Sequence, residues 1–158
     1  MSINHWIVKN LVCTLFLVVG GLNIYAQKDK YLIEAEAFQF KGKWSTDRSA
    51  DCMGSAMLRL NGGGSLDEQF DALTVVNIME EGDYNVWVRS ADYDKLPGTR
   101  LFRLSVDEKP MKESGKHGKV GFYWENAGCV QLAKKQVLLR LHDTKRNFGR
   151  CDAILLVK

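Results

Sequence analysis

Short runs in which apolar residues occupy every second position constrain the fold of this chain more than any other feature. The clearest covers residues 84–89, where Tyr84, Val86 and Val88 take alternate positions. Side chains on a strand alternate between its two faces, so such a run predicts a β-strand with one core face. The same alternation occurs in Phe102, Leu104 and Val106, in Val137, Leu139 and Leu141, and in Ala153, Leu155 and Val157. Repeated short strands separated by turns bearing Gly and Asp predict an all-β fold, a β-sandwich.

The first 26 residues have a different character. They contain one cation, Lys9, and no acid, and residues 11–24 are almost entirely apolar before Ala26 provides a small residue. This pattern is typical of a secretory signal peptide. The apolar run is shorter than the roughly 20 residues that span a bilayer, so we expect no stable membrane insertion. We predict a signal peptide at residues 1–26, cleavage near Ala26, and a secreted or periplasmic protein.

The remaining residues, 27–158, have the length of one domain, and we predict that they form a single β-sandwich. Of the 22 basic residues in the chain only Lys9 precedes Gln27, and none of the 19 acidic residues does, which leaves a net charge of +2. This near balance gives no electrostatic reason to expect a nucleic-acid partner.

Cysteine and histidine patterns do not predict an enzyme. Neither a G-x-S-x-G nor an H-E-x-x-H motif is present, and no Cys/His spacing suggests zinc. A nucleophile formed by Cys151 with His142 is a minor alternative, which would need contact and a lowered thiol pKa. We expect Cys52, Cys129 and Cys151 to be small buried residues that form at most one disulfide.

Aromatic and polar residues in the predicted loops form a candidate ligand-binding surface. Sugars stack an apolar face on aromatic rings and present hydroxyl groups to planar donors and acceptors, and loops at one edge of a sandwich can offer both. Trp44 and Trp87 are more simply explained by packing in the core or under loops. The predicted ligand-binding residues are Tyr93, Arg100, Tyr123, Trp124, Asn126 and Arg146.

Three short motifs resemble carbohydrate-binding modules of families 6 and 35. They are Ile33-Glu34-Ala35-Glu36, Gly82-x-Tyr84-x-Val86-Trp87-Val88-Arg89 and Cys151-Asp152-Ala153-Ile154. A further resemblance is to a non-catalytic β-sandwich domain attached to secreted bacterial FAD-dependent oxidoreductases and polysaccharide-degrading enzymes. It rests on Gly42-Lys43-Trp44, Met53-Gly54-Ser55, Leu141-His142-Asp143 and residues 148–155. Both resemblances imply a jelly-roll β-sandwich of the galactose-binding-domain-like type.

The resemblance implies a non-catalytic module that binds a polysaccharide or oligosaccharide. The alternative is an accessory domain that docks on or stabilises a secreted enzyme, such as an FAD-dependent oxidoreductase or a polysaccharide lyase. In the modules of families 6 and 35 the matching acidic residues hold a structural calcium ion, which here implies Glu34, Glu36 and Asp152 as ligands. All-oxygen ligation suits calcium. We also expect Glu34 and Glu36 to share one face of a first strand, residues 31–37, since side chains two positions apart on a strand point the same way. The competing interpretation is that one glutamate pairs with Arg89 or Arg150 in a partly buried salt bridge.

Overall fold

The computed structural model describes residues 24–27, 29–61, 70–144 and 148–158, and these form two antiparallel sheets. The predicted signal peptide lies mostly outside the described residues. Within the described part no helix is long and apolar enough to cross a membrane. The eleven strands described are β1 (Ile24–Gln27), β2 (Lys30–Glu34), β3 (Trp44–Arg48), β4 (Ala56–Leu60), β5 (Ala72–Asn77), β6 (Gly82–Ala91), β7 (Phe102–Val106), β8 (Lys109–Ser114), β9 (Phe122–Leu132), β10 (Gln136–His142) and β11 (Arg150–Val157).

The larger sheet is organised around β11. Strand β11 pairs with β2 and with β4 through different parts of its length, and it also pairs with β6, which in turn pairs with the edge strand β9. Strands β1 and β3 extend the sheet beyond β2 and β4. The second sheet has the order β5-β10-β7-β8. The all-β jelly-roll sandwich predicted from the sequence is confirmed.

The core lies between the two sheets and is built from the alternating positions. Tyr84, Val86 and Val88 on β6 are fully buried. The alternating residues of β7 and β10 are buried as well, namely Phe102, Leu104, Val106, Val137, Leu139 and Leu141. Burying a large apolar side chain contributes about 1.5–3 kcal/mol, so these faces supply most of the driving force for folding. Trp44 belongs to the same core, as predicted, and its ring meets the edge of Phe102 at a centroid distance of 5.7 Å.

The predicted core face of β11 is wrong. Ile154 and Leu156 are fully buried in the core, whereas Leu155 and Val157 are only half-buried on the outer face. A register shift between Cys151 and Ala153 in the pairing with β6 places an extra residue there, Asp152. Because side chains alternate with a period of two, one extra residue reverses the face of those that follow.

Two other segments differ from the sequence-based expectation. Strand β8 was not predicted, because Pro110 and the charged residues around it do not alternate clearly. Strand β9 includes Tyr123, Trp124 and Asn126, which were assigned to predicted loops, since it begins at Phe122 and continues through a register shift opposite Val86 and Trp87. This difference matters for the site, because it converts an expected loop into a strand whose residues face opposite sides.

Candidate functional site

Two loops at one end of the sandwich are joined by the carboxylate of Asp92, which is 2% exposed. Its oxygens accept hydrogen bonds from the backbone N–H groups of Tyr93 (2.7 Å), Gly98 (3.0 Å) and Gly118 (2.8 Å). A buried carboxylate is stable only when such donors replace the lost water. Asp92 therefore fixes residues 92–99 against residues 115–121 and gives this end of the molecule a defined surface.

Tyr93 and Arg100 lie together on this surface. The Arg100 guanidinium is 5.6 Å from the centroid of the Tyr93 ring, and it donates to the Asp92 carbonyl at 2.9 Å. Tyr93 is 40% exposed, which leaves part of its ring accessible to a ligand. The predicted association of Tyr93 with Arg100 is thus present as a cation–π pair whose cation is positioned by the backbone.

Tyr123 forms a second aromatic position, supported by the 115–121 loop. His117 lies 5.0 Å from its ring centroid and Lys119 lies 4.9 Å from it. The His117 Nε2 atom donates to the Ser90 carbonyl at 3.1 Å, and Nδ1 accepts from the Lys119 N–H at the same distance. His117 is therefore held at both ring nitrogens. Tyr123 remains 41% exposed, so its ring, like that of Tyr93, is available for stacking.

Glu125 ties the start of strand β9 to the same loop. Its carboxylate accepts from the Ser90 hydroxyl and, at 2.7 Å, from the Gly115 N–H. Gly115 itself has φ +85°, and a Cβ there would meet the Arg100 carbonyl oxygen at 2.1 Å, so only glycine fits. The loop that carries His117 and Lys119 is anchored at Gly115 as well as at Gly118.

Trp124 and Asn126 lie on the opposite side of β9 from Tyr123. Trp124 pairs with Arg89 and Asn126 with Trp87, and both partners face outwards from the sheet. The expectation that these residues share one surface with Tyr123 is therefore not met. The reason is strand alternation, which the interpretation of this segment as a loop did not consider. Arg146, the sixth predicted residue, lies outside the described residues.

The predicted carboxylate cluster lies where β2 ends and β11 begins. Strand β2 ends at Glu34, and Glu36 belongs to a following 3-10 turn, Ala35–Ala37, so the prediction that they share a strand face is wrong. Their carboxylates nevertheless converge. A Cβ on Gly54 would lie 2.6 Å from Glu36 Oε1 and 3.0 Å from both carboxylate oxygens of Glu34. Gly54, at φ +60°, lets the backbone approach both side chains closely.

Asp152 is paired with an arginine at the same place. Its carboxylate is fully buried and bonds the Arg89 guanidinium, and its Oδ1 accepts from the Met53 N–H at 3.0 Å. Arg89 also donates to the Asp51 carbonyl at 3.1 Å. The arginine in the expected salt bridge is thus Arg89, as one alternative proposed, but its acidic partner is Asp152 and not a glutamate.

The electrostatics of this cluster are unbalanced. The pKa of Glu36 is raised from 4.5 to about 7, chiefly by burial and also by the charges of Glu34 and Asp152, while a hydrogen bond from its own backbone opposes the shift. Burial likewise raises the pKa of Asp152, although Arg89 and the Met53 N–H oppose the shift. The Glu36 Oε2 atom is buried and has no hydrogen-bond partner.

The residues of this cluster fit a cation only in part. No three His, Cys, Asp or Glu residues of the described part converge as a set of metal ligands, because Asp152 is turned towards Arg89. The carboxylates of Glu34 and Glu36 do converge beside Gly54, and Glu36 has an oxygen without a partner. Two of the three predicted ligands therefore fit a hard cation with oxygen ligands.

The cysteines do not form a nucleophilic site. Cys151 is fully buried, and burial raises the pKa of its thiol well above the usual value. Burial also raises the pKa of Cys52 to about 12. All three described cysteines are free, and Cys129 is exposed on strand β9, contrary to the expectation that all are buried. A thiol that stays protonated is a poor nucleophile.

His142 is instead part of a polar network with Ser105 and Asp71, which the sequence did not reveal. Its Nε2 lies 2.5 Å from the Ser105 hydroxyl, and its Nδ1 lies 2.8 Å from the Asp71 carboxylate. The order of groups is that of a Ser-His-Asp hydrolase. Ser105 is only 3% exposed in the middle of β7, however, and Asp71 is equally buried. A substrate carbonyl therefore has no access to the hydroxyl. The network links the residue before β5 to β7 and to the end of β10.

Comparison with known proteins gives the fold. A family 35 carbohydrate-binding module from Clostridium thermocellum superposes with a TM-score of 0.63 and 18% identity over 80% of this chain and 98% of that one. The carbohydrate-binding module of family 6 from a marine laminarinase of Zobellia galactanivorans gives a TM-score of 0.60 and 14% identity over 82% and 100%. This chain has the fold of these modules.

The same fold occurs within longer enzymes. A β-(1,4)-mannanase from Podospora anserina with a family 35 module gives a TM-score of 0.64 and 15% identity over 83% of this chain. The chain spans 28% of that mannanase. No protein-family model matches the chain, and no curated protein sequence does. The predicted resemblance to modules of families 6 and 35 is confirmed at the level of fold.

Proposed function

We propose that this protein is a secreted, non-catalytic carbohydrate-binding module that binds a polysaccharide or oligosaccharide at its Asp92 loop surface. The observation that carries the proposal is the pair of exposed rings, Tyr93 in the 92–99 loop and Tyr123 at the start of β9 beside the 115–121 loop. The buried Asp92 carboxylate joins these two loops. Each ring has cations beside it, Arg100 for Tyr93 and Lys119 for Tyr123. Rings held in this way are already ordered in the folded protein. Stacking a sugar on them therefore does not incur the entropy cost of immobilising them.

The proposal includes export through the segment 1–26. Its support is the apolar run that follows a single cation at the N-terminus of the sequence. Strand β1, Ile24–Gln27, pairs with β2 and overlaps the proposed cleavage point. N-terminal sequencing of protein recovered outside the cytoplasm should begin close to Gln27, and an intact Met1 in a soluble cytoplasmic product would refute the proposal of export.

The proposal also includes a structural calcium ion beside Gly54. The support is the convergence of the Glu34 and Glu36 carboxylates and the partnerless, buried oxygen of Glu36. Calcium takes about six to eight oxygen ligands, so backbone carbonyls would complete the shell, with Asp152 and its partner Arg89 behind the two glutamates. When bound, the ion would supply the positive charge that this acidic cluster lacks.

The proposed glycan binding is tested by affinity electrophoresis in native gels that contain a polysaccharide. The purified protein should be retarded in native gels containing a binding polysaccharide, and Tyr93→Ala and Tyr123→Ala should each weaken binding by about tenfold, since ring stacking contributes of the order of 1–2 kcal/mol. Val120→Ala is a matched control, because Val120 is exposed on the same loop but does not provide a ring. Equal binding by all four proteins would place the glycan elsewhere.

A second function is favoured by the outer face of the larger sheet. Trp124 is 37% exposed there, on the same side of the sheet as the outward-facing Trp87 and on the opposite side of β9 from Tyr123. Exposed aromatic residues are frequent anchors of protein interfaces. We propose on this basis that the protein docks on or stabilises a secreted enzyme, such as an FAD-dependent oxidoreductase or a polysaccharide lyase. Trp124→Ser should abolish co-elution with such an enzyme while leaving glycan retention unchanged.

A further inference from the structure

We infer that the 92–99 and 115–121 loops form a docking surface for an anionic lipid bilayer. The inference goes beyond the proposed function, because it rests on aliphatic and lysine side chains and leaves the stacking of sugars to Tyr93 and Tyr123. It concerns reversible binding at the surface of a bilayer, which differs physically from insertion of a membrane-spanning segment.

The two loops carry the most exposed large apolar side chains of the described part of the chain. Val120 is 74% exposed and Leu96 is 62% exposed. Apolar residues exposed singly are ordinary on a protein surface, whereas a group of them marks an interaction site. Aliphatic side chains have no planar ring on which a sugar stacks, so the proposed glycan binding does not account for their exposure.

The two loops meet beside these side chains. The carboxylate of Asp92, the first residue of one loop, accepts a hydrogen bond from the Gly118 N–H of the other at 2.8 Å. A Cβ on Gly118 would lie 3.5 Å from the Pro97 ring, so the two backbones are in contact there. Leu96 directly precedes Pro97, and Val120 follows Gly118 by two residues. Both apolar side chains therefore belong to one local surface that is ordered before any partner binds.

This surface is also cationic. Its exposed charged residues are three lysines and one aspartate, namely Lys95, Lys116, Lys119 and Asp94, and both loops lie within the described range 70–144. Lys95 directly precedes Leu96, and Lys119 directly precedes Val120. Among the described residues, none of the three lysines has a carboxylate at ion-pair distance. Each apolar side chain thus has an unneutralised cation next to it in the chain.

An anionic bilayer complements both features at once. Apolar side chains are buried at the boundary between headgroups and acyl chains, and lysines next to them are attracted to the negative headgroups. A soluble polyanion would neutralise the lysines but would leave Leu96 and Val120 in water. The combination of exposed aliphatic side chains with lysines therefore favours a lipid surface over a free polyanion.

The experiment is co-sedimentation of the purified protein with two kinds of vesicle, phosphatidylcholine alone and equal parts of phosphatidylcholine and phosphatidylglycerol. The wild type should bind the anionic vesicles, and Leu96→Ser/Val120→Ser should weaken this binding by about tenfold or more, because the buried apolar area is lost. Met79→Ser is the matched control. Met79 is 55% exposed and lies just before β6, whose other end leads into Asp92.

A lysine variant tests the electrostatic part of the inference. Lys95→Gln/Lys119→Gln should also weaken binding to the anionic vesicles and should reduce its dependence on salt. Equal binding of the wild type to both kinds of vesicle would contradict the role of the lysines. A loss confined to the lysine variant, with undiminished binding by Leu96→Ser/Val120→Ser, would show attraction to any polyanion and would overturn the inference. An equal loss in Met79→Ser would overturn it as well.

Two further measurements separate this inference from the fold and from the proposed function. Thermal unfolding of Leu96→Ser/Val120→Ser should match that of the wild type, since both side chains are exposed. Its glycan retention in native gels should also be unchanged, because both tyrosine rings remain. A wild type that retains glycan but binds neither kind of vesicle would overturn the lipid inference alone. Vesicle binding without retention of any glycan would overturn the proposed function alone.

Discussion

Replacing Glu36 with Gln should stabilise the calcium-free protein at neutral and alkaline pH. Burial raises the pKa of Glu36 from 4.5 to about 7, so the folded protein holds a proton that the unfolded chain releases between these values. Folding stability therefore falls as pH rises from about 4.5 to about 7 and stays low above that range. Glutamine has nearly the same shape as the protonated acid and cannot ionise, so this loss of stability should not occur in Glu36→Gln.

The size of the effect follows from the two pKa values. Their separation, at about 1.4 kcal/mol per pH unit, gives an upper bound of roughly 3.4 kcal/mol. Because Glu36 is partly exposed, solvent screening reduces this to about 1–3 kcal/mol. For a chain of this size, 1 kcal/mol moves the melting temperature by roughly 2–4 °C. At pH 8 in chelator the variant should melt higher than the wild type by several degrees, and at pH 4.5 the two should coincide.

The assay is thermal unfolding from pH 4 to pH 9 in chelator and again with calcium. Calcium should raise the melting temperature of the wild type at pH 8 and have little effect on Glu36→Gln, since the variant has lost a carboxylate ligand. Glu108→Gln serves as the control, because its side chain is 69% exposed and remote from this cluster. If Glu36→Gln is less stable than the wild type at pH 8 in chelator, the inference that burial of the ionised Glu36 carboxylate destabilises the folded protein is refuted.

Three other perturbations test separate parts of the structure. Arg89→Met should cost about 3–5 kcal/mol in urea unfolding, because it leaves the fully buried Asp152 without its ion-pair partner; a cost below 1 kcal/mol would contradict this. Asp92→Ala should lower the free energy of unfolding by about 2–4 kcal/mol and should also abolish glycan retention, because three backbone donors lose their acceptor. Unchanged amide-exchange protection at Gly98 and Gly118 would show that the two loops do not depend on Asp92. Cys129 should react with a thiol reagent in the native protein, whereas the other described thiols should react only after unfolding, and equal rates would refute their burial.

The sequence was sufficient to predict the architecture because the sandwich depends on a simple periodic pattern. The alternating residues of β6, β7 and β10 identify both the strands and the faces that they bury. Strand β11 shows the limit of this reasoning. The extra residue Asp152 reverses the faces of the residues after it, and a sequence pattern does not locate a bulge when both faces carry aliphatic residues.

The site was only partly predictable because it depends on contacts between loops. Tyr93 and Arg100 are close in sequence, and their association could be anticipated. Asp92 serves as an acceptor for N–H groups up to 26 positions away, and no local pattern reveals that role. Trp124 was assigned to the site because an aromatic run beside Gly-rich residues suggests a loop, whereas the run is the start of strand β9.

The acidic cluster shows a different limit. Glu34 and Glu36 were expected to be neighbours for a reason that the structure contradicts, yet Gly54 brings their carboxylates together from the other side. The pairing of Asp152 with Arg89 depends on the register of β11 against β6, which sets two distant positions side by side. Such long-range registers follow from the packing of the whole sheet and not from short motifs.

The most direct test of the proposed function is the affinity of the purified protein for a panel of plant and algal polysaccharides, measured by isothermal titration calorimetry with the Tyr93→Ala/Tyr123→Ala double variant beside the wild type. We expect saturable binding of at least one polysaccharide by the wild type, and a loss of about a hundredfold or more in the double variant, whose melting temperature should change little because both rings are about 40% exposed. Undiminished binding by a folded double variant, or no binding of any polysaccharide by the wild type, would contradict the account.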